Sequence, residues 1–178
     1  MDEKRIPRDF ENHLRGMRII VVALVMGVVA FSLIALLISG EAKPDRQPIV
    51  SFMGLFFAAV MFVAREVVSK FIVASARKKI ASGGWQSPQQ AARQVSEEAT
   101  LEEKFLFTYR IRLIVRAAPL EGAAFFNLIA FMMDHEWWSF AIAAVFAAIN
   151  LSTFPSRDGL LSWIDQQIEL LALEQTNL

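Results

Sequence analysis

No cysteine occurs in the chain, which excludes disulfides, thiolate metal sites and cysteine nucleophiles and leaves the redox compartment open. Histidine is almost as scarce. The two present, His13 and His135, fall on opposite sides of the bilayer in the topology derived below, so no His-based metal site within one chain is expected. An excess of charge of one sign is missing too: 18 basic and 18 acidic residues cancel. That excludes a globally basic nucleic-acid binder and moves the charge argument to distribution. No nucleophile, base and orienting group share a recognisable motif, so the chain reads as a non-enzyme that needs no cofactor.

Apolar residues are what the chain has in quantity. They make up 55% of its 178 residues, and the mean hydropathy is +0.42. This is too apolar for an ordinary soluble domain of this size, so a lipid bilayer is the expected solvent. Residues 19–38, "IIVVALVMGVVAFSLIALLI", run without a charge for about 30 Å of helix, the thickness of a bilayer core. The run exceeds a typical signal-peptide core and no A-x-A site follows it, so it is expected to be retained. A second span covers 49–68, opening at Pro48, with Arg65 and Glu66 at its far end and a Glu66–Lys70 pair in the favourable i,i+4 order. Its helix is expected to continue along Val68, Phe71 or Ile72, and Ile80 until Gly83 and Gly84 stop it.

The third span, 113–133, and the fourth, 137–154, are separated by "DHE" alone and so form a tight antiparallel hairpin. Asp134 is the expected N-cap of the fourth span, and Trp137 with Trp138 falls where an aromatic belt belongs. Lysine and arginine set the orientation. Residues 1–18 carry five, the 39–48 loop two, residues 65–116 ten, the 134–136 turn none and the tail from 155 one. The positive-inside rule then places the 1–18 N-terminus, the 69–112 segment and the 155–178 tail in the cytoplasm.

The cytoplasmic segment carries two capping boxes. "SPQQ" at 87–90 opens a short helix to about Ala99, and "TLEE" at 100–103 opens one that runs into the third span with Leu101, Phe105 and Tyr109 on one face. The tail repeats Leu160, Ile164, Ile168 and Leu171 as an amphipathic helix. Its acidic polar face favours docking on the basic central segment or on a protein partner over adsorption to anionic lipid. Residues 6–17 read as a short interfacial helix with Ile6, Phe10, Leu14 and Met17 inward. The expected fold class is all-α, a polytopic membrane protein with four transmembrane helices, a helical cytoplasmic segment and a C-terminal amphipathic helix.

One feature asks for an explanation: Glu121 lies in the third span, two residues after Pro119. A charge at mid-bilayer costs about 2.5 to 3.5 kcal/mol on insertion scales, so it needs a partner or a task. Arg116 or Arg112 can reach it from the cytoplasmic end, helped by a kink at Pro119. Counting out from His135 puts Asn150 of the fourth span at nearly the same depth. The two faces carry small residues for close packing, Ala117, Ala118, Gly122 and Ala124 against Ala143, Ala144, Ala147 and Ala148. Alternatively the carboxyl group exchanges a proton or binds a cation within the membrane.

"AAPLEGAAFF" and "FPSR" give residues 105–165 a resemblance to a group of small, functionally unassigned bacterial membrane proteins, whose third span has an acid followed by glycine and small residues and whose fourth is followed by a basic motif with proline. The resemblance implies a bacterial four-helix protein of the cytoplasmic membrane, without implying a mechanism. A hairpin with a buried glutamate is also similar to the c subunit of rotary ATP synthases, but this chain adds two spans and a cytoplasmic segment and lacks a glycine-repeat helix. The leading expectation is a structural or assembly component with protein partners at its cytoplasmic helices and room for a homo-oligomer. The runner-up is a small proton- or cation-coupled transport component that uses Glu121.

Overall fold

The structure is a computed structural model that describes residues 10–39, 47–85 and 100–176. These residues form five helices and no strand: α1 (Phe10–Ile38), α2 (Ile49–Ala81), α3 (Leu101–Asp134), α4 (Trp137–Ser152) and α5 (Arg157–Thr176). Three of them, α1, α2 and α3, are long and apolar enough to cross a membrane, and a fourth span results if α4 and α5 are counted as one interrupted crossing. The 16 residues of α4 stop two short of the expected 137–154 and span about 24 Å. Ile6 and the "SPQQ" helix lie outside the described residues.

Two compact units divide the chain. One holds Arg18–Val68 and Ile114–Phe154, the other Met1–Met17, Ser69–Leu113 and Pro155–Leu178. In the first, the core is Val28, Ala35, Ala58, Leu120, Ala123, Ala124, Leu128, Phe131, Ala143 and Phe146. Half of these are alanine, which lets helix backbones come close. Helix α3 is the hub, with 44% of its apolar stretch buried against 17% for α1 and 22% for α2. Its buried residues Leu113, Leu120 and Asn127 repeat every seven, as do Ala117, Ala124 and Phe131, so a broad face meets neighbours.

The inward seams of α1 and α2 are narrower. In α1, Leu14, Val21, Val28 and Ala35 are buried at strict seven-residue spacing, with Phe10 and Met17 between them, a coiled-coil-like stripe. The expected N-terminal helix is thus present with Phe10, Leu14 and Met17 inward, but it is the first part of α1, because that stripe continues without a register break. In α2 the usual polarity is inverted. Ser51, Gly54, Ala58, Arg65 and Ser69 are buried, whereas Phe52, Phe56, Phe62, Val63, Val67 and Phe71 are exposed. Small and polar residues inward with large apolar ones outward is the arrangement of helices whose solvent is hydrocarbon.

In the second unit Phe10, Leu14, Met17, Ile80, Phe105, Leu106 and Leu113 are buried, as are Leu160, Ile164 and Leu171 of α5. Trp163 anchors the tail helix, lying 5.1 Å from the Tyr109 ring and 6.3 Å from the Phe105 ring, with the Arg112 guanidinium 5.3 Å from its centroid. Arg77 of α2 adds a hydrogen bond to Gln167 Oε1 at 3.3 Å and an ion pair with Glu174 at 3.1 Å. The acidic tail therefore docks on the basic central segment, one of the two placements its charge allowed. The "TLEE" box closes as read, with Thr100 N donating to Glu103 and Glu103 N donating to Thr100 Oγ1. Gly83, at φ 70°, ends α2 where the glycine pair implied. Truncating the anchor with Trp163→Ala is expected to cost about 3 kcal/mol and to expose α5 to protease, seen as a lowered thermal midpoint and faster cleavage after Pro155.

Candidate functional site

Helix α3 runs through Pro119 without interruption, and Glu121 lies half-buried one turn beyond Ala117. The three expected partners of Glu121 are all engaged elsewhere. Arg116 Nη2 binds Glu66 Oε1 at 2.7 Å, Arg112 stacks over Tyr109 and Trp163, and Asn150 Nδ2 donates to the Ala117 carbonyl at 3.3 Å. The reason is the rotation of α3 about its axis. Ala117 meets α4, whereas Glu121 turns toward α1, where a methyl group added at Gly27 would lie 3.4 Å from Glu121 Oε1 and 3.6 Å from Phe125 Cζ. Among the described residues no hydrogen bond or ion pair reaches Glu121.

The hairpin register was legible to within one turn, since Asn150 meets the backbone four residues before Glu121. A helix carbonyl points toward its own C-terminus, so the Ala117 oxygen projects in the direction of Glu121 and takes the amide first. Ala117, Ala124 and Ala143 are buried and Ala147 is half-buried against the same core. Gly122 does not join them: it is exposed, with open space where a side chain would be. Ala118, Ala144 and Ala148 also face outward, because a helix buries one side of a run of small residues and turns the rest away.

Asn127 was not anticipated. It falls in the seven-residue register of Leu113 and Leu120, and that single polar break in an apolar repeat is the signal that could have found it. Its Nδ2 donates to the Gly54 carbonyl at 3.1 Å and to the Ala123 carbonyl at 2.8 Å, tying α3 to α2. The approach depends on glycine, since a methyl group at residue 54 would lie 2.9 Å from Asn127 Oδ1. Asn127 Oδ1 and Asn150 Oδ1 are enclosed, and no hydrogen-bond donor among the described residues reaches either.

The hairpin turn also departs from expectation. Asp134 does not cap α4, whose N-cap is Glu136 without a side-chain bond. Its Oδ2 instead accepts from Ser51 N at 2.7 Å, at the start of α2. Pro48 precedes that helix and has no side-chain acceptor, so the end of α3 supplies the cap and places a carboxylate on the positive end of the helix dipole. His135, at φ 59°, takes the left-handed position that ends α3, its N donating to the Phe131 carbonyl at 2.8 Å.

The charges at the other end of α2 form a compact cluster. Glu66 Oε1 accepts from both Arg65 Nε at 3.1 Å and Arg116 Nη2 at 2.7 Å, displacing the expected Glu66–Lys70 pair. The Arg65 guanidinium lies 5.5 Å from the Phe62 ring centroid. Among the described residues no three His, Asp or Glu side chains gather as metal ligands. No protein-family model, curated protein or solved structure matches the chain.

Two substitutions test this seam. Gly54→Ala is expected to push Asn127 off α2 and cost about 1 to 3 kcal/mol, measured by thermal unfolding in detergent. Asp134→Ala is expected to cost about 1 kcal/mol and to speed amide exchange in the first turn of α2.

Proposed function

We propose that the chain is a non-enzymatic integral membrane protein of the bacterial cytoplasmic membrane, with four spans and both termini cytoplasmic, that serves as a structural or assembly component. The observation that carries this reading is where the polar groups of the inward seams go. Asn127, Asn150 and Asp134 each bond the backbone of a neighbouring helix, and the large apolar side chains of α2 turn outward. Such a molecule spends its polar chemistry on holding helices together. In this reading α4 with its flanking residues is the fourth span, and the basic residues between α2 and α3 hold the orientation. The cytoplasmic unit, with α5 docked on it, is the surface offered to protein partners, and the same outward faces leave room for a homo-oligomer.

One observation favours a second reading. Glu121 is held beside Gly27 with none of its expected partners, as a small proton- or cation-coupled transport component would require. Glu121→Gln separates the two. In sealed proteoliposomes the assembly reading expects wild type and variant alike to conduct protons and cations no faster than empty vesicles, with a changed oligomer distribution or thermal midpoint in the variant. Flux in the wild type that disappears in a stably folded Glu121→Gln protein decides for transport.

A further inference from the structure

The cluster at the end of the apolar part of α2 is one negative charge short. Arg65, Glu66 and Arg116 carry a net charge of +1, and both guanidinium groups converge on a single carboxylate oxygen. Arg65 Nη1 and Arg116 Nε are enclosed, and no acceptor among the described residues reaches either. Leaving such donors unpaired is costly, and a buried guanidinium ordinarily has its fork filled. The Arg65 side chain is only 5% exposed, so it is not a solvated surface charge that water satisfies. Glu66 and Arg116 are more open, at 40% and 28%, which places the entrance to the cluster on their side.

We propose that this cluster is a phosphate-binding site in which Glu66 holds the place of the anion. When a phosphate group arrives, the exposed carboxylate swings outward and phosphate oxygens take over as the bridge between the two guanidinium groups. A phosphate offers more acceptors than the one shared carboxylate oxygen, and its geometry suits two forked donors. Arg65 is held in place by its packing on Phe62, so one half of the site is preorganised before the ligand binds. In the four-span reading, on which this inference rests, the cluster lies at the depth of the cytoplasmic headgroups. The phosphate then comes from an anionic phospholipid or from free inorganic phosphate.

The test uses the full chain in nanodiscs of phosphatidylcholine alone or mixed with phosphatidylglycerol, and in detergent with sodium phosphate against sodium chloride at equal ionic strength. Incorporation into phosphatidylcholine discs checks the membrane reading separately from the site. Phosphatidylglycerol retained through delipidation about tenfold over phosphatidylcholine assigns the lipid source. Phosphate-dependent thermal stabilisation without lipid selectivity assigns the free anion. Either signal should fall to background in Arg116→Gln. It should weaken in Arg65→Lys, which keeps the charge and loses the fork. Glu66→Gln removes the competing carboxylate and should bind phosphate more tightly than wild type, its thermal midpoint recovering as phosphate is added. A purely structural ion-pair cluster gives the opposite pattern, with Glu66→Gln destabilised and indifferent to phosphate. That pattern, or headgroup and phosphate responses unchanged by Arg116→Gln, overturns the proposal.

Discussion

The hydrogen bond from Asn127 to the carbonyl of Gly54 is the contact on which the helical core depends most. It joins α3, the most buried helix, to α2 at a point where glycine brings the backbones together. Helices whose outer faces are Phe, Val, Leu and Ile gain nothing from burying those faces when their surroundings are hydrocarbon. Association must then come from close packing of small residues and from polar groups that would otherwise go unsatisfied. Ser51, Ala58, Ala117, Ala123, Ala124 and Ala143 line the same seams for the same reason. The amide of Asn150 repeats the device between α4 and α3.

The ends of the helices are secured by charge. At one end of the core Asp134 caps α2 from the last turn of α3, and His135 accepts a left-handed conformation so that the chain can turn directly into α4. At the far end of α2's apolar stretch Glu66 draws in Arg65 and Arg116. That second arrangement occupies Arg116, one of the partners expected for Glu121, while the rotation of α3 leaves the acid itself facing Gly27.

Much of the fold was legible because its signals are local. Helix ends at Thr100 and Gly83, most of the inward face of the tail helix, where Gln167 is buried and Ile168 only half-buried, and the single turn between α3 and α4 follow from capping residues, periodicity and loop length, all of which act within a few residues. The choice of side-chain partners was not legible. Hydropathy fixes how long a span is but leaves its rotation about its own axis open, and a rotation of one position decides whether Glu121 meets α4 or α1 and whether Gly122 is packed or exposed. Asp134 was assigned to the helix beside it in sequence because the arrival of Ser51 at the same place depends on a contact 83 residues away. The seven-residue stripe of α1 and the placement of Asn127 in α3 were in the sequence to be read. An even run of apolar residues hid both.

In the proposed membrane setting α2 turns its small and polar side to the other helices and its large apolar side to lipid. A chain without native cysteine can carry single nitroxide labels at Phe56→Cys, Val63→Cys and Ala58→Cys, so collision with oxygen and with a water-soluble nickel complex can be measured in proteoliposomes. Residues 56 and 63 are expected to be open to oxygen and closed to nickel, and residue 58 to be closed to both. Free access of nickel to residues 56 and 63 would contradict this arrangement.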